Sequence, residues 1–344
     1  MKKVLISTGG TGGHVIPALN IYEHLKKDHK VKIISDLRGS RFINKEKYEF
    51  DVISVPNLFS NYYKIPINII LILFSLIRSI IYLKKNKIQI LISTGGYMSL
   101  PVCIASKILK IDIFLFEPNM ILGRSNKAIL ILSKKIMCYY KNIKGVNSKF
   151  RSKIIILDFI LNKDFYSIEK NQNLKISNPI KIFITGGSQG ASFFDENLKN
   201  LITNLSETHN IQVLQQVSNE KKIDVIKEKY DTNGIDNKLF KYDEYLHQKI
   251  SNFDLAITRA GASTLSELAH LNIPFIALPY PHATDNHQYL NAKYYFDKGA
   301  CWLIKQSEYD ESSLTKLMQW IIENNSEYLQ KKNQLKNISL KSSW

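Results

Sequence analysis

The sequence predicts an α/β protein made of two doubly wound parallel-sheet domains, and three observations predict it. Strand-length apolar runs alternate with helix-length segments from one end of the chain to the other. Leu5-Ile6-Ser7-Thr8-Gly9-Gly10 recurs letter for letter as Leu91-Ile92-Ser93-Thr94-Gly95-Gly96, and Ile182-Phe183-Ile184-Thr185-Gly186-Gly187 is a third version. A polar stretch, residues 169–179, separates the second copy from the third. Short continuous Val/Ile/Leu runs, each followed by a helix, suit a sheet covered on both faces. The expected division is a first domain over residues 1–165, a linker over 166–178 and a second domain over 179–335. The last helix is able to pack back on the first domain. Ligands are expected where the carboxyl ends of the strands face a shared cleft.

Residues 4–7 form the first strand and residues 9–14, Gly-Gly-Thr-Gly-Gly-His, the turn into a helix over residues 15–25. Glycines there let backbone N–H groups close around an anion, and the helix N-terminus adds a favourable dipole. The turn lacks both the GxGxxG spacing of a nicotinamide site and the Gly-Lys-Ser/Thr of a P-loop, so neither standard nucleotide class fits. His14 falls in the first helical turn, where a neutral imidazole could take a proton from an attacking hydroxyl; packing or capping explains it equally well. Strands follow at 31–35 and 52–55. The apolar stretch of residues 65–83, IPINIILILFSLIRSIIYL, approaches the ~20 residues that span a bilayer. Asn68, Ser75 and Arg78 interrupt it, and a span here would split one sheet across the membrane. Two readings stay open: a buried helix, or a helix whose outer face dips into lipid with Lys84, Lys85 and Lys87 at the headgroups. Apolar character nearly all round favours the second.

A strand at 88–93 leads into Gly95-Gly96-Tyr97-Met98-Ser99, the same turn with an aromatic hydroxyl added, and a strand at 113–117 ends on Glu117. The strand at 182–185 opens the second domain. The turn after it, Gly186-Gly187-Ser188-Gln189-Gly190-Ala191, offers N–H groups and the Ser188 hydroxyl to a phosphate. Strands at 211–217, 255–258 and 275–278 complete the series. After residues 255–258 comes Arg259-Ala260-Gly261-Ala262-Ser263-Thr264-Leu265-Ser266-Glu267. Thr264-x-x-Glu267 reads as a capping box. The functional alternative puts Arg259 and the helix N-terminus near a diphosphate, with Glu267 accepting hydrogen bonds from ribose hydroxyls. His282, Asp285 and His287 lack a fixed helical spacing, so no metal site is expected.

Hydrophobic residues make up 44% of the 344 and charged ones 22%, which excludes a largely disordered, collagen-like or coiled-coil chain. Cys103, Cys138 and Cys301 lie far apart without CxxC spacing; they read as small buried hydrophobes in a reducing compartment rather than a disulfide framework. Lys2-Lys3 precede only three apolar residues, too few for a secretory leader. The formal charge of +17 is carried almost wholly by lysine, with arginine only at 38, 41, 78, 124, 151 and 259. That balance argues against nucleic acid, which selects forked guanidinium contacts, and for an anionic membrane surface as partner.

Taken together, GGTGGH (9–14), GGYMS (95–99), EPN (117–119), GGSQGA (186–191), RAGASTLSE (259–267) and DNHQYLNA (285–292) resemble, in order, the motifs of the MurG family. These are the family 28 UDP-N-acetylglucosamine transferases that complete the lipid-linked peptidoglycan precursor. The resemblance implies a GT-B fold, inversion at the anomeric carbon, no cofactor and no catalytic metal. It implies UDP-N-acetylglucosamine on the second domain and undecaprenyl-diphosphate-linked muramyl-pentapeptide on the first. Thr11, Gly12, Gly13 and Asn119 would contact the donor from the first domain; Ser188, Ala262, Ser263, Thr264, Leu265, Ser266, Glu267 and Gln288 would hold uridine, ribose and diphosphate. His14 and Tyr97 would line the acceptor and reaction centre, with His14 the expected general base and Glu117 its rival. Residues 65–83 fall where the family carries its apolar membrane patch, which implies a peripheral enzyme on the cytoplasmic face of the bacterial inner membrane. The chain departs from the pattern at Leu157-Asp158-Phe159-Ile160-Leu161, where an arginine is expected beside the donor, and at Leu100, where a glycine usually precedes Pro101. Arg259 or Lys163 is the expected substitute cation. Three other readings share much of this pattern: a diacylglycerol glycosyltransferase, a UDP-N-acetylglucosamine 2-epimerase, and a UDP-sugar-binding protein without turnover.

Overall fold

The computed structural model describes residues 1–55, 63, 65–187, 190–243 and 245–338, and the chain divides between Lys163 and Asp164 into two compact units. The first contains β1 (Lys3–Ser7), α1 (Gly12–Leu25), β2 (Lys30–Ser35), β3 (Phe50–Val52), α2 (Ile65–Asn86), β4 (Ile90–Ser93), α3 (Ser99–Ile108), β5 (Asp112–Glu117), α4 (Arg124–Ile129), β6 (Lys135–Cys138) and β7 (Ile154–Ile156). Its seven strands form one parallel sheet in the order β3-β2-β1-β4-β5-β6-β7.

The second unit begins within α5 (Lys163–Ser167) and continues through β8 (Ile180–Thr185), α6 (Ser192–Ser206), β9 (Ile211–Gln216), α7 (Ile223–Thr232), β10 (Asp236–Phe240), α8 (Leu246–Ile250), β11 (Leu255–Thr258), α9 (Ala262–His270), β12 (Phe275–Ala277), α10 (His287–Asp297), β13 (Trp302–Leu303), α11 (Glu311–Glu323) and α12 (Asn325–Ile338). Its six strands are again all parallel, in the order β10-β9-β8-β11-β12-β13. Residues 166–178 run over this unit: Asn171 donates from Nδ2 to Phe253 O at 2.6 Å and accepts from the buried Lys332 of α12 at 2.7 Å.

Each central strand is apolar because helices cover both its faces. Leu5, Ile6, Ile33, Leu91 and Leu115 in the first sheet, and Ile182, Ile184, Ile257 and Ile276 in the second, are fully buried. The three cysteines are buried as well, and burial pushes the Cys138 thiol up to about 11 and that of Cys103 to about 12.

Helix α2 inverts the usual amphipathic pattern. Its uncharged polar side chains Asn68, Ser75 and Ser79 are buried, Ser75 Oγ donating to Leu71 O at 2.8 Å and to Ser54 O at 3.0 Å, Ser79 Oγ to Ser75 O at 2.7 Å, while Arg78, Lys84 and Lys85 are exposed. Ile67, Leu73, Phe74, Ile77 and Ile81 are each more than half exposed, with Ile70 beside them. Leaving a large aliphatic side chain in water forgoes about 1.5–3 kcal/mol, so a contiguous row of this kind marks a surface meant to be covered. The helix is long and apolar enough to cross a membrane, yet it packs along α3 within the first unit.

Candidate active site

In both sheets the chain reverses direction across one strand pair, leaving a crevice at the carboxyl ends of β1 and β4 in the first unit and of β8 and β11 in the second. The letter-for-letter repeat occupies the first of these. Leu5, Ile6 and Ser7 pair in register with Leu91, Ile92 and Ser93, so the two Thr-Gly-Gly turns leave the sheet side by side. Thr94 Oγ1 donates to Thr8 Oγ1 at 2.8 Å. Gly96 has φ +88°, and a Cβ on it would lie 2.8 Å from Gly9 O; only glycine lets the turns approach this closely.

His14 is the third residue of α1, and its ring lies over Gly95, where a Cβ would come within 3.0 Å of Cε1. Nδ1 stands 2.8 Å from Thr94 O. A carbonyl only accepts, so Nδ1 carries the proton and the lone pair of the neutral ring is on Nε2. The contact of Nδ1 serves the packing reading of His14. Thr11 and Gly13 are exposed and Gly12 is buried; at this helix start the N–H groups of Gly12 and Gly13 have no carbonyl within the helix to meet. Tyr97, in the second turn, is 44% exposed.

Glu117 is buried, and its carboxylate is spoken for. Oε1 accepts from Asn119 N at 3.2 Å and Asn119 Nδ2 at 2.8 Å, Oε2 from Gly123 N at 2.9 Å and Asn126 Nδ2 at 3.0 Å. It shapes the loop after β5, with Asn119 beside it. Asn126, unremarked in the sequence, also donates to Phe116 O at 3.0 Å.

The glycine turns differ from the anion cradles expected of them. Gly10 N–H donates to Asp36 Oδ1 at 2.9 Å, Gly186 N–H to Gln216 Oε1 at 3.1 Å and Gly187 N–H to Thr185 Oγ1 at 3.1 Å. Side chains of the protein consume these three donors, while the N–H groups at the start of α1 point out of the helix. Ser188 lies outside the described residues.

At the second crevice the first turn of α9 meets the turn after β8: Thr264 Oγ1 is 3.8 Å from where a Cβ on Gly187 would stand. The N-cap of α9 is Gly261, so Thr264 is the helix's third residue and the expected capping box with Glu267 does not form. Spacing of three puts Thr264 and Glu267 on one face, Ser263 next to them. Leu265 is fully buried and the Ser266 hydroxyl donates back to Ala262 O at 2.8 Å, so Ala262, Leu265 and Ser266 have only their backbone to offer. Glu267 stands apart electrostatically: burial pushes its carboxyl up to about 8. Gln288 Oε1 accepts from Ala260 N at 3.2 Å and Tyr280 N at 2.9 Å, pinning two site loops to α10.

Arg259 has partners within the protein. The guanidinium is buried, donates from Nη1 to Leu278 O at 2.9 Å and Pro279 O at 3.2 Å and from Nη2 to Gln306 Oε1 at 2.6 Å, and lies against Phe193, Phe194 and Tyr280. It clamps the loop after β12, and burial lowers its pKa to about 10. Among the described residues no three His, Cys, Asp or Glu side chains gather as metal ligands.

Two family descriptions divide the chain as its two units do. The glycosyltransferase family 28 N-terminal domain matches residues 4–138, and the family 28 C-terminal domain matches residues 181–343. The chain belongs to glycosyltransferase family 28. Within it, the chain is 44% identical over 343 residues to the UDP-N-acetylglucosamine–N-acetylmuramyl-(pentapeptide) pyrophosphoryl-undecaprenol N-acetylglucosamine transferase of Pelagibacter ubique, covering 100% of this chain and 96% of that one. It is 31% identical to the transferase of the same name from Rickettsia felis, over 91% of this chain and 89% of that one. The crystal structure of Acinetobacter baumannii MurG superposes with a TM-score of 0.77 at 23% identity, over 98% and 95% of the two chains. A UDP-N-acetylglucosamine 2-epimerase superposes at 0.62 with 15% identity, over 97% and 90%. The two superpositions show the GT-B fold that family 28 shares with other sugar-nucleotide proteins.

Proposed function

We propose that this family 28 protein transfers N-acetylglucosamine from UDP-N-acetylglucosamine to the 4-hydroxyl of the lipid-linked N-acetylmuramyl-pentapeptide, with inversion at C1 and loss of UDP. The observation that carries the reading is full-length similarity to a transferase of that name, on a chain whose glycine turns and His14 form one hydrogen-bonded unit. His14 Nε2 takes the acceptor's proton as C1 is attacked. The second unit holds the donor: helix-start N–H groups of α9 meet charge building on the diphosphate, Ser188 adds a hydroxyl, Glu267 accepts from the ribose and Gln288 helps hold the nucleotide. Thr11, Gly12, Gly13 and Asn119 contact the donor from the first unit, and Tyr97 lines the acceptor side. Glu117, whose oxygens already accept four hydrogen bonds, is better suited to holding Asn119 in place than to taking a proton. No cofactor and no metal enter the scheme.

The exposed face of α2 rests in this proposal on an anionic membrane, with Lys84, Lys85 and Lys87 at the headgroups, and the enzyme is peripheral on the cytoplasmic side of the inner membrane. The test is transfer of labelled N-acetylglucosamine to a lipid I analogue, run beside diacylglycerol, no acceptor, and UDP-glucose as donor. Label appearing in the lipid I analogue alone, with UDP-glucose a poor donor, is expected. Product on diacylglycerol, sugar epimerisation without acceptor, or donor binding without transfer would each replace the proposal.

A further inference from the structure

The two glycine-turn edges are built alike but charged differently. In each, the strand beside the first strand of the unit lends a side-chain oxygen to the turn. In the second unit it is the neutral Gln216 at the end of β9, accepting from Gly186 N. In the first unit it is Asp36, directly after β2, a carboxylate that is 6% exposed. Its Oδ1 accepts from two loops at once, Gly10 N at 2.9 Å and Gly39 N at 2.7 Å, while Oδ2 stands 3.5 Å from Arg38 Nη2. Two backbone N–H groups and a guanidinium converging on one anion are the donor set of a phosphate site. Here the protein's own carboxylate fills it.

What Asp36 fixes is packed closely on its neighbours, so a shift of the turn is passed on to them. A Cβ on Gly9 would meet Asp36 Oδ1 at 2.9 Å; one on Gly39 would meet Gly9 Cα at 2.8 Å; Gly96 presses on Gly9 from the other side. The turn held this way runs through Thr11 into α1, whose third residue is His14. We propose that Asp36 is a positioning residue for the transfer step: by filling the anion nest of the first turn, it sets the start of α1 and the reach of His14 Nε2. The same carboxylate closes that nest to phosphate, so the two similar edges of the protein do not compete for one ligand. This rests on the proposed transfer reaction.

The experiment compares Asp36→Ala, Asp36→Asn and wild type in the lipid I transfer assay, and measures binding of inorganic phosphate by calorimetry with UDP present. Asp36→Ala is expected to lower kcat about 10- to 100-fold, as a small misplacement of a catalytic group does, with KM for UDP-N-acetylglucosamine within about threefold of wild type. Asp36→Asn keeps an acceptor oxygen for both N–H groups and is expected to recover most of kcat. Asp36→Ala alone should gain a phosphate site. Unchanged kcat in Asp36→Ala, or donor affinity falling in step with kcat, overturns the proposal. Should Asp36→Ala not fold, Asp36→Glu, which keeps the charge but displaces it by a methylene, is read by the same criteria. A wild type that fails to transfer defeats the reaction, not the nest, which the phosphate measurement still judges.

Discussion

Glu267→Gln tests the electrostatics of the donor side. Burial lifts this carboxyl from about 4.5 to about 8. The folded protein then holds a proton that the unfolded chain has lost between those values, so stability falls as pH rises through that window and the deficit is complete above about 8. The full shift bounds the effect at about 5 kcal/mol, and partial exposure of the side chain brings the expected value to roughly 2 kcal/mol. Glutamine does not ionise. Its variant should therefore lose less Tm than wild type between pH 5 and pH 9, by about 4–8 °C for a unit of this size. Ligand binding should show the reverse. Ribose hydroxyls donate to the ionised carboxylate, so wild-type affinity for UDP-N-acetylglucosamine should rise as pH climbs towards 8, while the variant binds weakly at every pH. Scanning calorimetry gives the first profile and titration calorimetry the second. Parallel Tm profiles for the two proteins would refute the reasoning.

Arg259→Ala should act on stability rather than on the diphosphate, costing about 3–5 kcal/mol because the carbonyls of Leu278 and Pro279 lose their buried donor; a variant of wild-type Tm with a raised KM for the donor would show that the arginine reaches the ligand after all. Replacing Ile70, Phe74 and Ile77 together by serine should weaken binding to anionic vesicles by about 100-fold or more, leaving transfer to a water-soluble acceptor unchanged. Equal vesicle binding by the two proteins would remove α2 from the membrane contact.

Much of the fold was legible because its central strands carry their signal locally. The repeated Leu-Ile-Ser-Thr-Gly-Gly strands turned out to be neighbours at the chain reversal, and all nine strands read from apolar runs overlap observed ones. Missing from that reading are β6, β7, β10 and β13. Three of these are sheet edges, where one flank has no partner and a sequence such as Asp236-Asn237-Lys238 can serve. The glycine turns were legible in the sequence because a positive φ is a local demand, whereas the contact of His14 with Thr94 O joins residues 80 apart and was not. The enclosure of Arg259 was not legible, because the rings of Phe193 and Phe194 that surround it come from a helix distant in sequence. Thr264-x-x-Glu267 has the letters of a capping box, but the N-cap lies three residues earlier, at Gly261. Asp36 went unread although an acid directly after the second strand of a glycine-turn unit is a signal; its target here is backbone, not ribose.

The role of His14 is what the account depends on most, and His14→Ala is its most direct measurement. Turnover with saturating donor and lipid I analogue should fall by ~10²–10⁴-fold while the Kd for UDP-N-acetylglucosamine stays at its wild-type value. Turnover that survives the loss of the imidazole would contradict the account.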